Sequence, residues 1–309
     1  MAVPTRTPLF MRQRPGGVFS YSHIQEVPAN AWFVDSSAAG AGDTVGHGAN
    51  PDTPWATLAY AFSSAIPASG DVIYVMPGHA ETIATPGGIT QNIAGVKVIG
   101  LGWGAARPTF SFSATDSTWL ITAASNGVKN VRVKSTVVEL VNMFTISAAD
   151  WDLDAVDVVD NTTNTVIQFL LTTAAADYGK LRNCRHYKGT AAAATEVWIN
   201  LVGADFCLIE NNHFALTLRN NAGAFTIGGL TTANLGLIIR NNVIYQDGGT
   251  TQDYVVKMNT GTTGIYADNR TFGNVGTLAG SIELASMAAS NSFQATTVDK
   301  SGILDPVVA

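Results

Sequence analysis

A four-residue signature recurs through the second half of the chain, and nothing else in the sequence constrains the fold as strongly. It reads Leu181-Arg182-Asn183-Cys184, Ile209-Glu210-Asn211-Asn212, Ile239-Arg240-Asn241-Asn242, Tyr266-Ala267-Asp268-Asn269 and Ala288-Ala289-Ser290-Asn291. The third positions, 183, 211, 241, 268 and 290, lie 28, 30, 27 and 22 residues apart. Earlier pieces, Val96-Lys97-Val98-Ile99-Gly100 and Val128-Lys129-Asn130-Val131-Arg132-Val133, continue the rhythm less cleanly. A period in the twenties with one short strand and one turn per period marks a stacked repeat, and the architecture it predicts is all-β: a parallel β-helix. Each inward aliphatic (Leu181, Ile209, Ile239) then stacks on its counterpart about 4.8 Å away, the interstrand spacing. The asparagine takes the corner, where its amide bonds the turn backbone and tolerates left-handed φ. Asparagines one above another form a side-chain ladder.

Composition narrows the function classes. Only 13% of the 309 residues are charged and 46% are hydrophobic, with 30 glycines, against an average near 25% charged. A charge-rich disordered chain is excluded, because such chains lack apolar content. With 17 basic and 23 acidic residues and a net charge of −6, no nucleic-acid partner is expected. No apolar run approaches the roughly 20 residues of a membrane-spanning helix, so no membrane partner is expected either. Residues 1–17 carry arginines without an apolar stretch behind them, which does not read as a secretory signal. Cys184 and Cys207 fall at different phases of the repeat and read as two buried thiols. What remains is a repeat fold with a long core, or a protein that hides much of its surface in an assembly.

Four segments follow. Residues 1–30 read as an extended N-terminal arm: Pro4, Pro8, Pro15 and Pro28 break any helix, and Arg6, Arg12 and Arg14 meet no acid before Glu26. It is either a disordered tail or a strap laid on a partner, with Leu9, Phe10 and Met11 as its apolar anchor. Residues 31–70 hold an opening strand, Trp32-Phe33-Val34-Asp35, and one capping helix. Its apolar stripe is Trp55, Leu58, Ala59, Phe62 and Ile66, at helical spacing; Asp52 or Thr53 is the expected N-cap with Pro54 at the first helical position. Residues 71–295 form the β-helix, and 296–309 a C-terminal tail.

The catalytic candidates are Asp150, Asp152 and Asp154. On a strand these alternate residues share the outer face, with Trp151, Leu153 and Ala155 pointing in, and neighbours sit about 6.5–7 Å apart. That is at the lower edge of the roughly 6.5–9.5 Å separation of inverting glycosidase carboxylates, and such a row also suits a hard cation. One strand supplies all three groups, however, and no lysine or arginine lies nearby in sequence to aid proton abstraction; an exposed acidic strand face is the plainer expectation. His79 and Glu81, with His47, make a weak metal signal, so neither a metal nor a cofactor is expected. Gly100-x-Gly102-x-Gly104 ends a strand with no helix behind it to receive a phosphate.

The outward columns are more informative. With Ile209 and Ile239 inside, Arg182, Glu210 and Arg240 stack outside as an alternating-charge ladder. Beside them Lys180, Leu208, Ile238 and Ile265 form a second column, and three aliphatics in a row outside are what monomers avoid. Leu208, Ile238 and Ile265 are therefore the expected oligomer interface.

The block Trp32-Phe33-Val34-Asp35, Gly42-Asp43, Pro54-Trp55-x-Thr57-Leu58-x-x-Ala61, Gly70-Asp71-Val72-Ile73-Tyr74-Val75-Met76-Pro77-Gly78-His79-Ala80-Glu81-Thr82, Val98-Ile99-Gly100-Leu101-Gly102 and Arg107-Pro108-Thr109 resembles the opening segment of right-handed parallel β-helix proteins of the pectin-lyase-like superfold. It is most similar to virion proteins of tailed bacteriophages. The resemblance implies a structural, non-enzymatic protein: a homotrimeric capsid decoration or cement protein, made in the host cytoplasm and carried on the capsid surface. Its arm (Arg6, Leu9, Phe10, Arg12, Arg14) would contact the major capsid protein. The alternative is a tailspike-type protein that binds or cleaves host surface polysaccharide, with Trp119, Trp151 and Trp198 as the first aromatics of its groove; a free polysaccharide lyase is a third reading. Fold alone does not decide among them.

Overall fold

The computed structural model describes residues 29–159, 166–187, 197–218, 224–248, 254–273 and 282–296. The expected arm, with Arg6, Leu9, Phe10, Arg12 and Arg14, and all but the first residue of the C-terminal tail lie outside the described residues. The described part is a right-handed parallel β-helix. Each coil contributes one strand to each of three parallel sheets, which among the described residues hold ten, nine and eight strands. In the coil after Trp151, for example, Asp152–Asp154 joins the first sheet, Asp157–Val159 the second and Val166–Thr172 the third.

Inside, the coils stack like on like. Val98, Val128, Leu153, Leu181, Ile209, Ile239 and Tyr266 form one inward column of the first sheet, each buried. An aromatic file, Phe110, Trp119, Phe144, Phe169 and Trp198, runs through the core with ring centroids 4.9–5.6 Å apart. From Trp119 to Trp198 each ring is one coil step from the next, while Phe110 meets Trp119 within a coil, and edge-on or offset rings are the favourable geometries at these distances. Trp119, Trp151 and Trp198 are each at most 1% exposed. The expectation that they line a glycan groove is thus corrected: their large apolar area belongs to the core.

The corner between the first and second sheets takes two residues with separate tasks. The first is left-handed: Asn130, Ala155, Asn183, Asn211, Asn241, Asp268 and Asn291 all have φ between 46° and 57°. This frees their amides for the next coil, as in Asn183 N–H to Glu210 O and Asn241 N–H to Ala267 O. The second residue turns inward and carries the ladder. Asn212 Nδ2 donates to Asn242 Oδ1 and Asn242 Nδ2 to Asn269 Oδ1, each at 2.9 Å. The same Nδ2 groups donate to Leu181 O, Ile209 O and Ile239 O. The ladder therefore uses the fourth position of the signature, not the third; only the fourth points into the interior, where an amide must find partners. The last repeat is also displaced by one: Ala267 pairs with Ser290, so Asn291, not Ser290, is the corner residue. Ala155, expected inside, is at this corner too.

The N-terminal end is closed by a helix, Leu58–Ser63, one turn later than its caps predicted. Trp55 is not helical: it forms a parallel bridge with Val34, its N–H donating to Phe33 O and its C=O accepting from Asp35. It thus covers the edge of the opening strand Ala31–Val34, and the helix can begin only after it. Thr57 is the N-cap, accepting from Tyr60 N–H. The Asp43 carboxylate takes the N–H of Ala56 and Thr57, and Glu81 takes those of Leu58 and Ala59. Asp71 ties the lid to the first coil by accepting from Asn30 N–H and Nδ2, Trp32 Nε1 and Ala68 N–H at 2.8–2.9 Å. Burial raises its pKa, but the bonds from Trp32, Ala68 and Asn30 outweigh burial and hold the carboxyl below its ordinary value.

Asn242→Ala strands the Asn212 backbone N–H and takes one donor from Ile209 O, at about 1–3 kcal/mol for a buried polar group left unpaired; urea denaturation is expected to show a loss of that size, whereas Asn241→Gly, at the exposed left-handed corner, changes stability by only tenths of a kcal/mol. Asp71 has a depressed folded pKa, so its contribution is present above the unfolded value of about 3.9 and is lost as pH falls through the folded one. Thermal melts from pH 7 downward are therefore expected to show an acid loss in the wild type that Asp71→Asn lacks.

Candidate functional site

The outer face of the first sheet gathers charges that lie far apart in sequence. One column runs Lys97, Gly127, Asp152, Lys180 and then Leu208, Ile238, Ile265. Beside it run Lys129, Asp154, Arg182, Glu210 and Arg240. Because position 127 has no side chain, a hollow of about 400 Å³ opens there, lined by Lys97, Lys129, Asp152, Lys180 and Arg182. A Cβ on Gly127 would lie 3.0 Å from the Lys97 stem and 3.2 Å from Asp152 O, so even an alanine there would crowd the lysine stem that borders the hollow.

Arg182 grips Asp152 with two bonds, Nε to Oδ1 at 3.1 Å and Nη2 to Oδ2 at 2.6 Å. That fork is the strong form of the interaction and holds the guanidinium charged, its pKa raised first by the Asp152 bond. Asp154 accepts from Asn183 Nδ2 at 2.7 Å and has Lys129 Nζ at 3.6 Å. Arg240 meets Glu210 at 2.7 Å. Lys97 differs: among the described residues its ammonium has no hydrogen bond or ion pair. Burial pulls its pKa down, while Asp152 and Asp150 oppose the shift. The hollow can hold an anionic group against several cations and offers an amine that gives up its proton more readily than an ordinary lysine.

The three candidate aspartates do not form one row. The strand is only three residues long, Asp152–Asp154, and Asp150 sits before it at a left-handed corner (φ 55°), its N–H bonded to Asp177 O. Asp152 and Asp154 do share the outer face, but each is already engaged by a basic or amide group. The expected lack of a nearby base is corrected as well: stacking places Lys97, Lys129 and Arg182 around them, a proximity invisible along the chain. His79 and Glu81 are paired at 3.2 Å and buried; Ser36 N–H donates to His79 Nδ1, so Nε2 carries the proton toward Glu81. His47 lies elsewhere, against the Thr44 hydroxyl. Among the described residues no three His, Cys, Asp or Glu side chains are placed to hold a metal. Burial pushes both thiols up, Cys207 to about 12.

Leu208, Ile238 and Ile265 stand on the outer face, Ile265 being 48% exposed. They are flanked by a pair the sequence reading missed. Tyr178 and Phe206 occupy left-handed corners (φ 58° and 55°) before the first-sheet strands. Their rings stack at 5.2 Å and 10°, each more than half exposed. Left-handed backbone at a bulky residue costs roughly 1–2 kcal/mol. The only sequence signal was their phase, two residues before each strand.

No protein-family model matches the chain, and no curated protein matches it. Among solved structures it is similar to a rhamnogalacturonan lyase, at 14% identity and a TM-score of 0.49 over 89% of each chain. It is also similar to a GH136 lacto-N-biosidase from Eubacterium ramulus, at 9% identity and a TM-score of 0.41 over 86% of this chain and 68% of that one. These likenesses concern the fold alone, a parallel β-helix. Both neighbours carry the names of enzymes, which corrects the expectation of a non-enzymatic chain, and that expectation is withdrawn.

Proposed function

We propose that the chain is a structural protein of a tailed-phage virion, a trimeric capsid decoration protein that stabilises the head. In this reading the outer face of the first sheet meets two further copies, residues 1–30 strap the trimer to the major capsid protein, and the protein reaches the capsid surface after synthesis in the host cytoplasm. The observation that supports it is the outward apolar column Leu208, Ile238 and Ile265 beside the stacked Tyr178 and Phe206. Strained, exposed aromatics next to an apolar stripe mark a surface made to be covered. Size-exclusion chromatography with light scattering is expected to give a trimer for the wild type and monomers for Ile238→Asp and Ile265→Asp with unchanged circular dichroism. A monomeric wild type, or trimers that survive both substitutions, would remove the interface.

A second reading, a tailspike-type protein that binds or cleaves host surface polysaccharide, is favoured by the hollow around Gly127 and the proton affinity of Lys97. Here Lys97 is the base and Arg182 and Lys129 hold an acidic sugar. Reducing-end release from the host polysaccharide is then expected to vanish in Lys97→Ala and in Asp152→Asn; unchanged release in both excludes the hollow.

A further inference from the structure

The coils that border Gly127 bring Lys97, Lys129, Lys180 and Arg182 to one hollow, with Asp152 as the carboxylate in its lining. Arg182 already occupies both oxygens of that carboxylate, and Asp154, in the neighbouring column, is engaged by Asn183 and Lys129. The Lys97 side chain lies over the bare backbone of Gly127: a Cβ there would meet its Cδ at 3.0 Å and its Nζ at 3.4 Å. The amine is therefore held inside the hollow, without a hydrogen bond or ion pair among the described residues. Burial favours its neutral form; Lys180 and Arg182 add to that effect, while Asp152 and Asp150 oppose it. An amine that is partly desolvated and set beside other cations is a nucleophile. What the basic lining lacks is an anion of its own.

We propose that Lys97 is a carbon dioxide-binding residue: its Nζ adds to CO2 and gives a carbamate that Lys129, Lys180 and Arg182 stabilise. In this step the nitrogen lone pair forms the N–C bond, one C=O π pair moves onto oxygen, and the nitrogen gives one proton to water. Nothing is oxidised or reduced, and no further reactant is consumed. A cation is exchanged for an anion, so repulsion between Lys97 and its basic neighbours becomes attraction, and nearby opposite charge favours the ionised product. Carbon dioxide suits the place because it is small and uncharged: it needs neither a groove nor an aromatic platform, and the charge that the lining holds appears only on reaction. Lys134, exposed on the second sheet, lacks the burial that frees an amine of its proton. The proposal goes beyond both readings of the function and rests on the hollow alone. The carbamate is detected directly, so the result is independent of oligomeric state and of sugar release.

Carbon NMR of the full chain in isotope-labelled bicarbonate tests it, with triethyloxonium trapping and peptide mapping to place the product. A carbamate resonance is expected, together with a trapped ester on the peptide that contains Lys97. Lys97→Arg is expected to remove both at unchanged melting temperature, leaving only what the chain's α-amino group contributes. Lys129→Met combined with Lys180→Met is expected to lower the formation constant about tenfold, the low end of what neighbouring charges do to an ionisable group. Lys134→Met is expected to leave it unchanged. Three results overturn the proposal: no trapped ester at Lys97, esters spread equally over Lys97, Lys134 and Lys180, or a formation constant indifferent to the loss of Lys129 and Lys180.

Discussion

Each coil must hand its backbone hydrogen bonds to the next at one fixed spacing, and the corners are where that handover is hardest. Strands pair without assistance; a turn does not, because its N–H groups point wherever the bend sends them. Here the left-handed residues at 183, 211, 241 and 268 aim their amides at carbonyls of the following coil. The next residue then drops an amide side chain into the interior, where Asn212, Asn242 and Asn269 bond one another. Below Cys184 the same inner position holds Val156 and Val131, both fully buried. The corner thus has two packing solutions, a polar ladder in the later coils and an aliphatic stack in the earlier ones, with Cys184 N–H donating to Asn212 Oδ1 at the junction.

A fixed coil step also makes neighbours of residues about 28 positions apart, and the chemistry of the outer faces follows from that. Arg182 reaches Asp152, Arg185 reaches Asp157 and Arg240 reaches Glu210, each across one coil boundary. These are cross-strand pairs, individually worth under about 1 kcal/mol when exposed. Their consequence for the hollow is geometric. Asp152 is held by Arg182 from the coil above and has only Gly127 below it, so the opening lies between two rigid coils and Lys97 borders it from beneath.

The period of the signature and the identity of its inward aliphatics were legible because each coil repeats one chemical demand, an apolar residue followed by a turn. The division of labour within the corner was not. Asn211-Asn212 and Asn241-Asn242 offer two asparagines where one ladder position exists, and only the direction of each side chain separates them. The shift at Asn291 has the same origin: Ala288-Ala289 carries no size difference to fix its register. At the N-terminal end, Asp52, Thr53 and Pro54 have the chemistry of a helix start, yet Trp55 is drawn to the edge of the opening strand by hydrogen bonds to Phe33 and Asp35. Local capping preference, worth about 1 kcal/mol, yields there to pairing a strand edge and burying an indole. The hollow itself had no linear signature, since its lining comes from four successive coils.

The scarcity of charge acquires a specific meaning from this arrangement. These acids on the outer faces of the first two sheets are consumed within the stack: Asp152 and Asp154 by Arg182 and Lys129, Asp157 by Arg107 and Arg185, Glu210 by Arg240. Lys97, Lys134 and Arg270 are left over because each lacks an acid one coil away in its own column, and Lys180 because its column neighbour Asp152 is taken by Arg182. A chain of net charge −6 can therefore carry sheet faces that are locally positive, and net charge is a poor guide to what such faces meet. The register does the sorting: a carboxylate is silent where an arginine follows it by one period, and a cation is available where the next coil offers Gly127, Leu208 or Val159 in its place.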